Sequence, residues 1–559
     1  MSIILGVNSG KTSFGKLIKD GASCLIKDGN IIGAIPEERL SRKKHDGGFK
    51  LGVEFLLDKA NIDESDIDLV IQSSCCEPEK FLNPTGLLAR NEKTVNHHLS
   101  HAYNVFKLSG FPEAIVIVID AGGNVLENNV TNTWWKQKRE QHSYYLANES
   151  GIDLIERDCD GPLDTGIGEL MRAFTYFLGW PSGTLAGNTM AAGKVIQDKC
   201  FKGKDIFSFK NGKILSPMEN KPYSPVEAIS YLTSRVLGGA FEPNEFYQPL
   251  SKQHFQLANW VQWNIEKIIC EKVNFLVNKT GVDNICFSGG VAYNCPTVTA
   301  IRRMKNVNDV YVSWTSGDHG QAIGNALYGA ELCGDTKVNS ISPYTGGQYR
   351  SSKNSLESYI KKKKYDLVVS EPASLVDDIV ESLLSEKILA LFHGKSESGP
   401  RSLGHRSIIA RASQIEVVKK LNKIKSRMDF MPIAPVVLLE HMEKLFDLSI
   451  HTPYMTETRL PKEPEVAKRY PAAFHTDRSA RVQTVSLNDN SLFRNILQNL
   501  EINNGEQMIL NTSFNLGGEP IVETPFDALD TVIKMDIDTL YINKLKITKR
   551  RPQESTKAT

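Results

Sequence analysis

The segment Asn96-His97-His98-Leu99-Ser100-His101-Ala102 carries the most distinctive chemistry in the chain. Val95, Leu99, Ala102 and Phe106 recur at helical spacing, and Gly110 is placed to stop the helix. His97 and His101 then stand at i and i+4 on one face, close enough to share a metal ion. Imidazole suits iron, zinc or nickel, and a carboxylate would complete the site. Asp120 and Asp318 each close a strand-to-loop transition. Taken singly, the histidines read as surface residues and each acid as a turn former. Taken together they make a two-histidine-plus-carboxylate set with positions open for nucleotide oxygens.

Three further segments have the composition of ligand loops. Gly289-Gly290, Gly317 with Gly320 and Gly324, and Gly6 to Gly10 would let backbone N–H groups approach phosphate oxygens. Neither G-x-x-x-x-G-K-[ST] nor G-x-G-x-x-G occurs, which argues against the common P-loop and dinucleotide sites. Lys395-Ser396-Glu397-Ser398-Gly399-Pro400-Arg401-Ser402-Leu403-Gly404-His405-Arg406-Ser407 packs cations into a glycine-rich turn. Guanidinium forks bind phosphate through two bonds at once, so this turn suits a small phosphorylated substrate; the bland alternative is an exposed basic loop. Asn511-Thr512-Ser513-Phe514-Asn515 follows an apolar run and offers amides to a polar group, although a plain polar turn reads the same way.

The elements that must position these residues form an α/β pattern. Ile3–Val7, Ala114–Ile119, Asn284–Phe287 and Val310–Trp314 are strand-like runs, each ending in a loop with glycine and a polar residue. Such loops at carboxyl ends of strands are where α/β proteins place ligands. Ala22–Ile26 and Ile31–Ile35 flank Asp28-Gly29, a hairpin signal. The texture turns to Ser, Pro, Tyr and Gly around Lys337–Ser351, so the domain boundary is placed there, giving domains 1–345 and 346–559. Ile388–Phe392 and Met508–Leu510 start a second α/β pattern, with Leu540–Ile542 expected as an edge strand, and no internal repeat is visible.

At 559 residues, 41% hydrophobic and 23% charged, the chain has the composition of a globular protein of two domains or three. A net charge of +1 gives no global field towards nucleic acid or membrane. Nine cysteines without a C-x-x-C pair, Cys75-Cys76 being adjacent, point to free thiols in a reducing compartment. The amino-terminal apolar run is too short for a signal peptide, and no run reaches a membrane span, so the expectation is cytoplasmic.

The motifs, in their order along the chain, resemble the carbamoyltransferase family of natural-product biosynthesis. They are EERLSRKKH (Glu37–His45), HHLSHA (His97–Ala102), VIDAGGN (Val118–Asn124), FSGGVAYNC (Phe287–Cys295), SGDHGQAIGNAL (Ser316–Leu327), GPRSLGHRS (Gly399–Ser407) and LNTSFNLGGEPIV (Leu510–Val522). The resemblance implies an actin-like (ASKHA-type) ATPase domain followed by a YrdC-like α/β domain. It implies that the second domain binds carbamoyl phosphate and releases carbamate. Carbamate then reacts with ATP in the first domain to give carbamoyl adenylate, which the acceptor hydroxyl attacks.

Position by position, the resemblance makes His97, His101 and Asp318 ligands of a divalent metal, iron(II) first and Mg2+ with ATP as the other choice. Asp120 becomes a residue near metal and nucleotide, and Lys44 the lysine near the adenylate. Gly166, Gly289, Gly290 and Asn294 fall on the nucleotide side. Arg401 becomes the carbamoyl-phosphate arginine, with Asn511 and Asn515 in its partner motif. The chain departs from the family pattern where Lys19 stands for a histidine before Asp20, Met431 for a phosphate-binding arginine, and Gly517 for a basic residue. Arg427 or Lys425 is the expected substitute. The acceptor is expected to be a hydroxylated small molecule, with a hydroxymethylated pyrimidine, free or in DNA, as second choice; no membrane partner is expected, and homo-oligomerisation is left open. The competing readings are a threonylcarbamoyl-type tRNA-modifying enzyme, disfavoured by GPRSLGHRS and LNTSFN, and a non-catalytic ATP-binding interaction protein, for which Lys19 and Met431 speak.

Overall fold

The computed structural model describes residues 2–8, 19–73, 84–125, 138–160, 166–197, 200–216, 218, 224–335, 337 and 342–550. Ser9-Gly10 of the first glycine loop, Cys75-Cys76 and Arg551 lie outside these. The chain forms two compact units: Met1–Thr345 with Met455–Arg459 and His475–Arg481, and Gly346–Tyr454 with Leu460–Phe474 and Val482–Thr559. Two short pieces of the carboxyl-terminal half thus belong to the first unit.

In the first unit, β1 (Ile3–Asn8), β2 (Ala22–Lys27), β3 (Asn30–Pro36), β4 (Leu69–Ser73) and β5 (Glu92–Thr94) form a sheet of order β3-β2-β1-β4-β5. The first three are antiparallel, and β4 and β5 are parallel additions. The β2–β3 turn has both Asp28 (φ 50) and Gly29 (φ 71) left-handed, as a tight hairpin demands. β6 (Glu113–Ile119), β7 (Arg139–Asn148) and β8 (Gly151–Asp160) form a second meander. A short hairpin, β9 (Ser208–Lys210) and β10 (Lys213–Leu215), precedes β11 (Asn284–Ser288) and β12 (Asp309–Tyr311). These last two add in parallel beside β6, for an order of β12-β11-β6-β7-β8.

With β6 matched to β1, the second sheet repeats the first strand for strand. This duplicated arrangement is the actin-like core, and it corrects the expectation that there is no repeat. The repetition lies in hydrogen-bonding order, which different apolar residues satisfy equally, so no residue-level signal remains.

The core of the second sheet is closed by the helix Lys252–Thr280, which starts at a Ser251–His254 capping box and ends at Gly281 (φ 76). Leu257, Trp260, Val261, Ile265, Ile268 and Val273 line its buried stripe, and Trp260 meets Phe174 edge-on with centroids 6.0 Å apart. The helix His97–Ser109 crosses the helix Gln321–Leu332 so closely that a Cβ on Gly324 would lie 2.0 Å from Ser100 O. Only glycine permits that approach.

In the second unit, β13 (Leu367–Ser370), β14 (Leu389–Phe392), β15 (Arg406–Arg411) and β16 (Ala434–Leu438) come first. β17 (Thr458–Arg459) and β18 (Ala480–Arg481) pair with each other inside the first unit. β19 (Gln483–Val485), β20 (Met508–Ser513), β21 (Thr539–Ile542) and β22 (Leu545–Lys549) complete a mixed eight-stranded sheet of order β13-β22-β21-β14-β15-β20-β16-β19. The expected edge strand at Leu540–Ile542 is interior, because β22 folds back on it as a hairpin and β14 takes its other side. The described cysteines are free, and no helix among the described residues is long and apolar enough to cross a membrane.

Candidate functional site

Asn96 caps the helix His97–Ser109, accepting the Leu99 N–H at 3.0 Å, while Asn124 Oδ1 accepts the His97 N–H at 2.7 Å. The helix start is therefore anchored to the loop that follows β6, and both histidine rings turn towards Asp120 at the end of that strand. His97 Nε2 lies 3.4 Å and His101 Nε2 3.2 Å from Asp120 Oδ2. The same nitrogens lie 3.6 and 3.5 Å from Asp318 Oδ1. Asp120, expected beside the metal, thus lies inside the donor set as a fourth potential ligand.

This set fits a metal ion. Ligand atoms bound at about 2.1 Å in a tetrahedron stand about 3.4 Å apart, the spacing found. Asp318 Oδ1 is buried with no hydrogen-bond partner, and so is His97 Nδ1. Burial alone would push His101 down, but Asp120 and Asp318 hold it up at about 9. Burial would raise Asp120, yet His101 and His97 hold it well below the carboxylate range. A buried carboxylate and a half-buried one facing two buried imidazoles favour a cation between them, and a proton on His101 or a metal ion meets that requirement.

Backbone converges on the same aspartate. Gly289 has φ 87, and a Cβ there would lie 2.3 Å from Ile119 O, so the β11 loop passes directly over the end of β6. A Cβ on Gly290 would reach within 3.0 Å of Asp120 Oδ1. Gly166 is the N-cap of the helix Ile167–Phe177, whose first turn abuts Asp120: a Cβ on Gly168 would lie 2.4 Å from Asp120 O. A helix N-terminus and a glycine loop beside a metal-type donor set make a seat for phosphate oxygens. Asn294, also expected on the nucleotide side, is the N-cap of the next helix. Its amide exchanges two bonds with Gln262 (2.9 and 3.0 Å) and caps the helix Cys295–Arg302, so its polar atoms are engaged within the protein.

Lys44 Nζ pairs with Glu38 Oε1 at 2.9 Å. Glu38 also accepts the His45 N–H at 2.9 Å, and His45 Nδ1 lies 2.7 Å from Asp20 Oδ1. His319 Nε2 stands 3.4 Å from Asp20 Oδ1, next in the chain to Asp318. Asn8 Nδ2 donates to both Asp20 O and Asp318 O at 3.1 Å, joining this cluster to the metal-type set. Of this cluster the sequence assigned a role only to Lys44; Glu38, His45 and His319 lay inside the quoted motifs EERLSRKKH and SGDHGQAIGNAL without one, and Asp20 was noted only as the residue after Lys19.

In the second unit, Arg401 belongs to the β14–β15 loop, which Glu397 Oε1 shapes by accepting the N–H groups of Leu403 (2.6 Å) and His405 (2.9 Å). Asn511 on β20 ties that loop down, donating to Ser402 O at 3.0 Å and Gln483 Oε1 at 2.9 Å. Asn515 donates to Leu516 O (2.7 Å) and Glu519 O (2.9 Å), closing its own turn. Lys425 Nζ is held by Ser513 O, by Ser513 Oγ at 3.0 Å, and by Asn515 O and Oδ1, both at 3.1 Å. Of the two expected substitutes for the arginine missing at Met431, lysine is therefore committed to the protein. Arg427 faces Arg401 instead, with Nη1 3.5 Å from Thr512 Oγ1. Burial and the repulsion of Arg401 push Arg427 down to about 10. Gly517 has no room for the basic residue expected there, since its Cβ would sit 2.5 Å from Lys425 O.

Comparison with known proteins follows the same division of the chain. The Carbamoyltransferase N-terminus sequence family matches residues 12–85 and 87–327, and the Carbamoyltransferase C-terminus family matches 380–549. Nodulation protein NolNO of Sinorhizobium fredii is 28% identical over 574 residues, 95% of this chain and 79% of that protein. The 3'-hydroxymethylcephem-O-carbamoyltransferase of Amycolatopsis lactamdurans is 30% identical over 241 residues, 43% of this chain and 44% of that enzyme. Among solved structures, HypF of T. kodakarensis aligns at 15% identity with a TM-score of 0.35, covering 60% of this chain and 48% of HypF. The two family matches span most of both halves of the chain, and the protein is a member of the carbamoyltransferase family.

Proposed function

We propose that this protein is an O-carbamoyltransferase that moves the carbamoyl group of carbamoyl phosphate, by way of ATP-dependent carbamoyl adenylate, to an acceptor hydroxyl. The observation that carries this reading is the convergence of buried His97, His101 and Asp120 with half-buried Asp318 beside a glycine loop and a helix N-terminus. When bound there, a divalent metal supplies positive charge to the phosphate oxygens of the nucleotide; two imidazoles with carboxylates suit iron(II). The backbone at Gly289-Gly290 and the helix start at Gly166 offer N–H groups to the same phosphates. Lys44 brings an ammonium group to the adenylate side of the site.

In the second unit, the guanidinium groups of Arg401 and Arg427 hold the donor phosphate, which relieves their mutual repulsion. Asn511 and Asn515 hold the two loops that carry the site in place. Carbamate released there is unstable in water, so it must reach the ATP-binding unit before it decomposes. A hydroxylated small molecule is the acceptor, with a hydroxymethylated pyrimidine as the second choice. Phosphorus NMR of a reaction with ATP and carbamoyl phosphate tests the reading. The expected products are AMP and pyrophosphate, formed only when carbamoyl phosphate is present; stoichiometric ADP would refute the adenylate route.

A further inference from the structure

The cluster beside the metal-type set has a feature that phosphate or metal binding does not use. His45 Nδ1 and Asp20 Oδ1 are 2.7 Å apart, and both residues have left-handed backbones, with φ 59 and φ 68. Two facing non-glycine residues in that region are strained, and persist only where surrounding bonds over-determine them. Those bonds are present. Glu38 Oε2 takes the His45 N–H, the Asp46 N–H bonds Lys43 O at 3.1 Å, and Asn8 holds Asp20 O. The His45 side chain is held through Nδ1 and is 29% exposed, so solvent-borne groups reach it.

We infer that His45 is the general base that activates the acceptor hydroxyl, with Asp20 as its positioning residue. This rests on the carbamoyl-transfer reading above. Burial works against ionisation of Asp20, but His319 and His45 hold its carboxyl at about 2, so it accepts a hydrogen bond at neutral pH. Nδ1 of His45 then carries the donated proton, and Nε2 keeps the lone pair. The charged groups around the pair are Glu38 and Lys44 on one side and His319 on the other. Asp20, Glu38 and His319 could also converge on a cation, but Lys44 already neutralises Glu38 and His45 already occupies Asp20.

The acceptor oxygen forms a bond to the carbamoyl carbon as its proton passes to His45 Nε2. The bond from that carbon to the phosphate oxygen breaks, AMP leaves with the electron pair, and the imidazolium returns its proton to solvent.

The experiment uses the full-length, metal-loaded protein and His45→Asn. Asparagine tolerates the left-handed backbone and keeps a donor for Asp20, but lacks a base at the Nε2 position. Carbamoyl-phosphate-dependent AMP formation is measured with two kinds of nucleophile. Hydroxylamine attacks as a neutral amine without a base, whereas water and ethylene glycol are hydroxyls that need one. His45→Asn should match wild type within threefold with hydroxylamine and fall about 100-fold with the hydroxyls. Asp20→Asn should move the acid limb of the hydroxyl-dependent rate to lower pH, a change that loss of structure alone does not produce. Equal losses with both nucleophiles, or none, would overturn the proposal. So would a wild-type protein that uses hydroxylamine but neither hydroxyl. If wild type makes no AMP with any nucleophile, the carbamoyl-transfer reading itself fails.

Discussion

Arg427→Met should stabilise the ligand-free protein while abolishing its response to phosphate. Arg427 is pushed well below the ordinary guanidinium range, to about 10, by burial and by Arg401. At about 1.4 kcal/mol per pKa unit, keeping that guanidinium charged in the folded state costs about 3 kcal/mol at neutral pH. Methionine keeps most of the apolar stem and removes the charge. After about 1 kcal/mol is set aside for imperfect repacking, a net gain of about 2 kcal/mol remains. Wild type should instead regain stability when an anion binds between the two arginines, by about 2.7 kcal/mol at a hundredfold excess over Kd. Thermal unfolding of the full chain, with and without carbamoyl phosphate or inorganic phosphate, reads both effects. The variant should melt a few degrees higher than wild type without ligand and should show no ligand-induced shift. A variant that melts lower without ligand, or that keeps the full phosphate shift, would refute the assignment of Arg427 to the donor site.

The metal-type set and the Asp20 cluster make separate predictions. His101→Ala, measured by elemental analysis of purified protein, should lose most bound metal along with carbamoyl transfer, because one of two imidazoles is gone; stoichiometric metal in a His97→Ala/His101→Ala double variant would rule out the site. Asp20 is held at about 2, below its ordinary 3.8, so its stabilisation is present above pH 3.8 and is lost as pH falls towards 2. The shift corresponds to about 2 kcal/mol, so the stability gap between wild type and Asp20→Asn, followed by denaturant unfolding, should close as pH falls across that window.

Short-range chemistry was legible in the chain. The helical spacing of His97 and His101, the Gly110 stop and the Asp28-Gly29 hairpin are set by contacts within about one turn, and the structure has each of them. Glycines 289 and 290 could be singled out as a loop, but the reason for them is a close approach to Ile119 and Asp120, far away in sequence. Lys425 and Arg427 were equivalent candidates until Ser513 and Asn515 put four oxygens around the first and the β14–β15 loop put Arg401 near the second.

The sequence by itself determined the element types, the candidate ligands and the family, because periodicity, capping and motif order are local or linear properties. Only the tertiary structure decided which of those residues meet. It brought Asp120 and Asp318 to the same two imidazoles, turned Asn294 and Asn511 into braces, placed His45 against Asp20, and revealed two sheets of one topology. Those outcomes depend on strand order and on the close crossing at Gly324. Both are set by packing between residues hundreds of positions apart, which leaves no periodic trace in the chain.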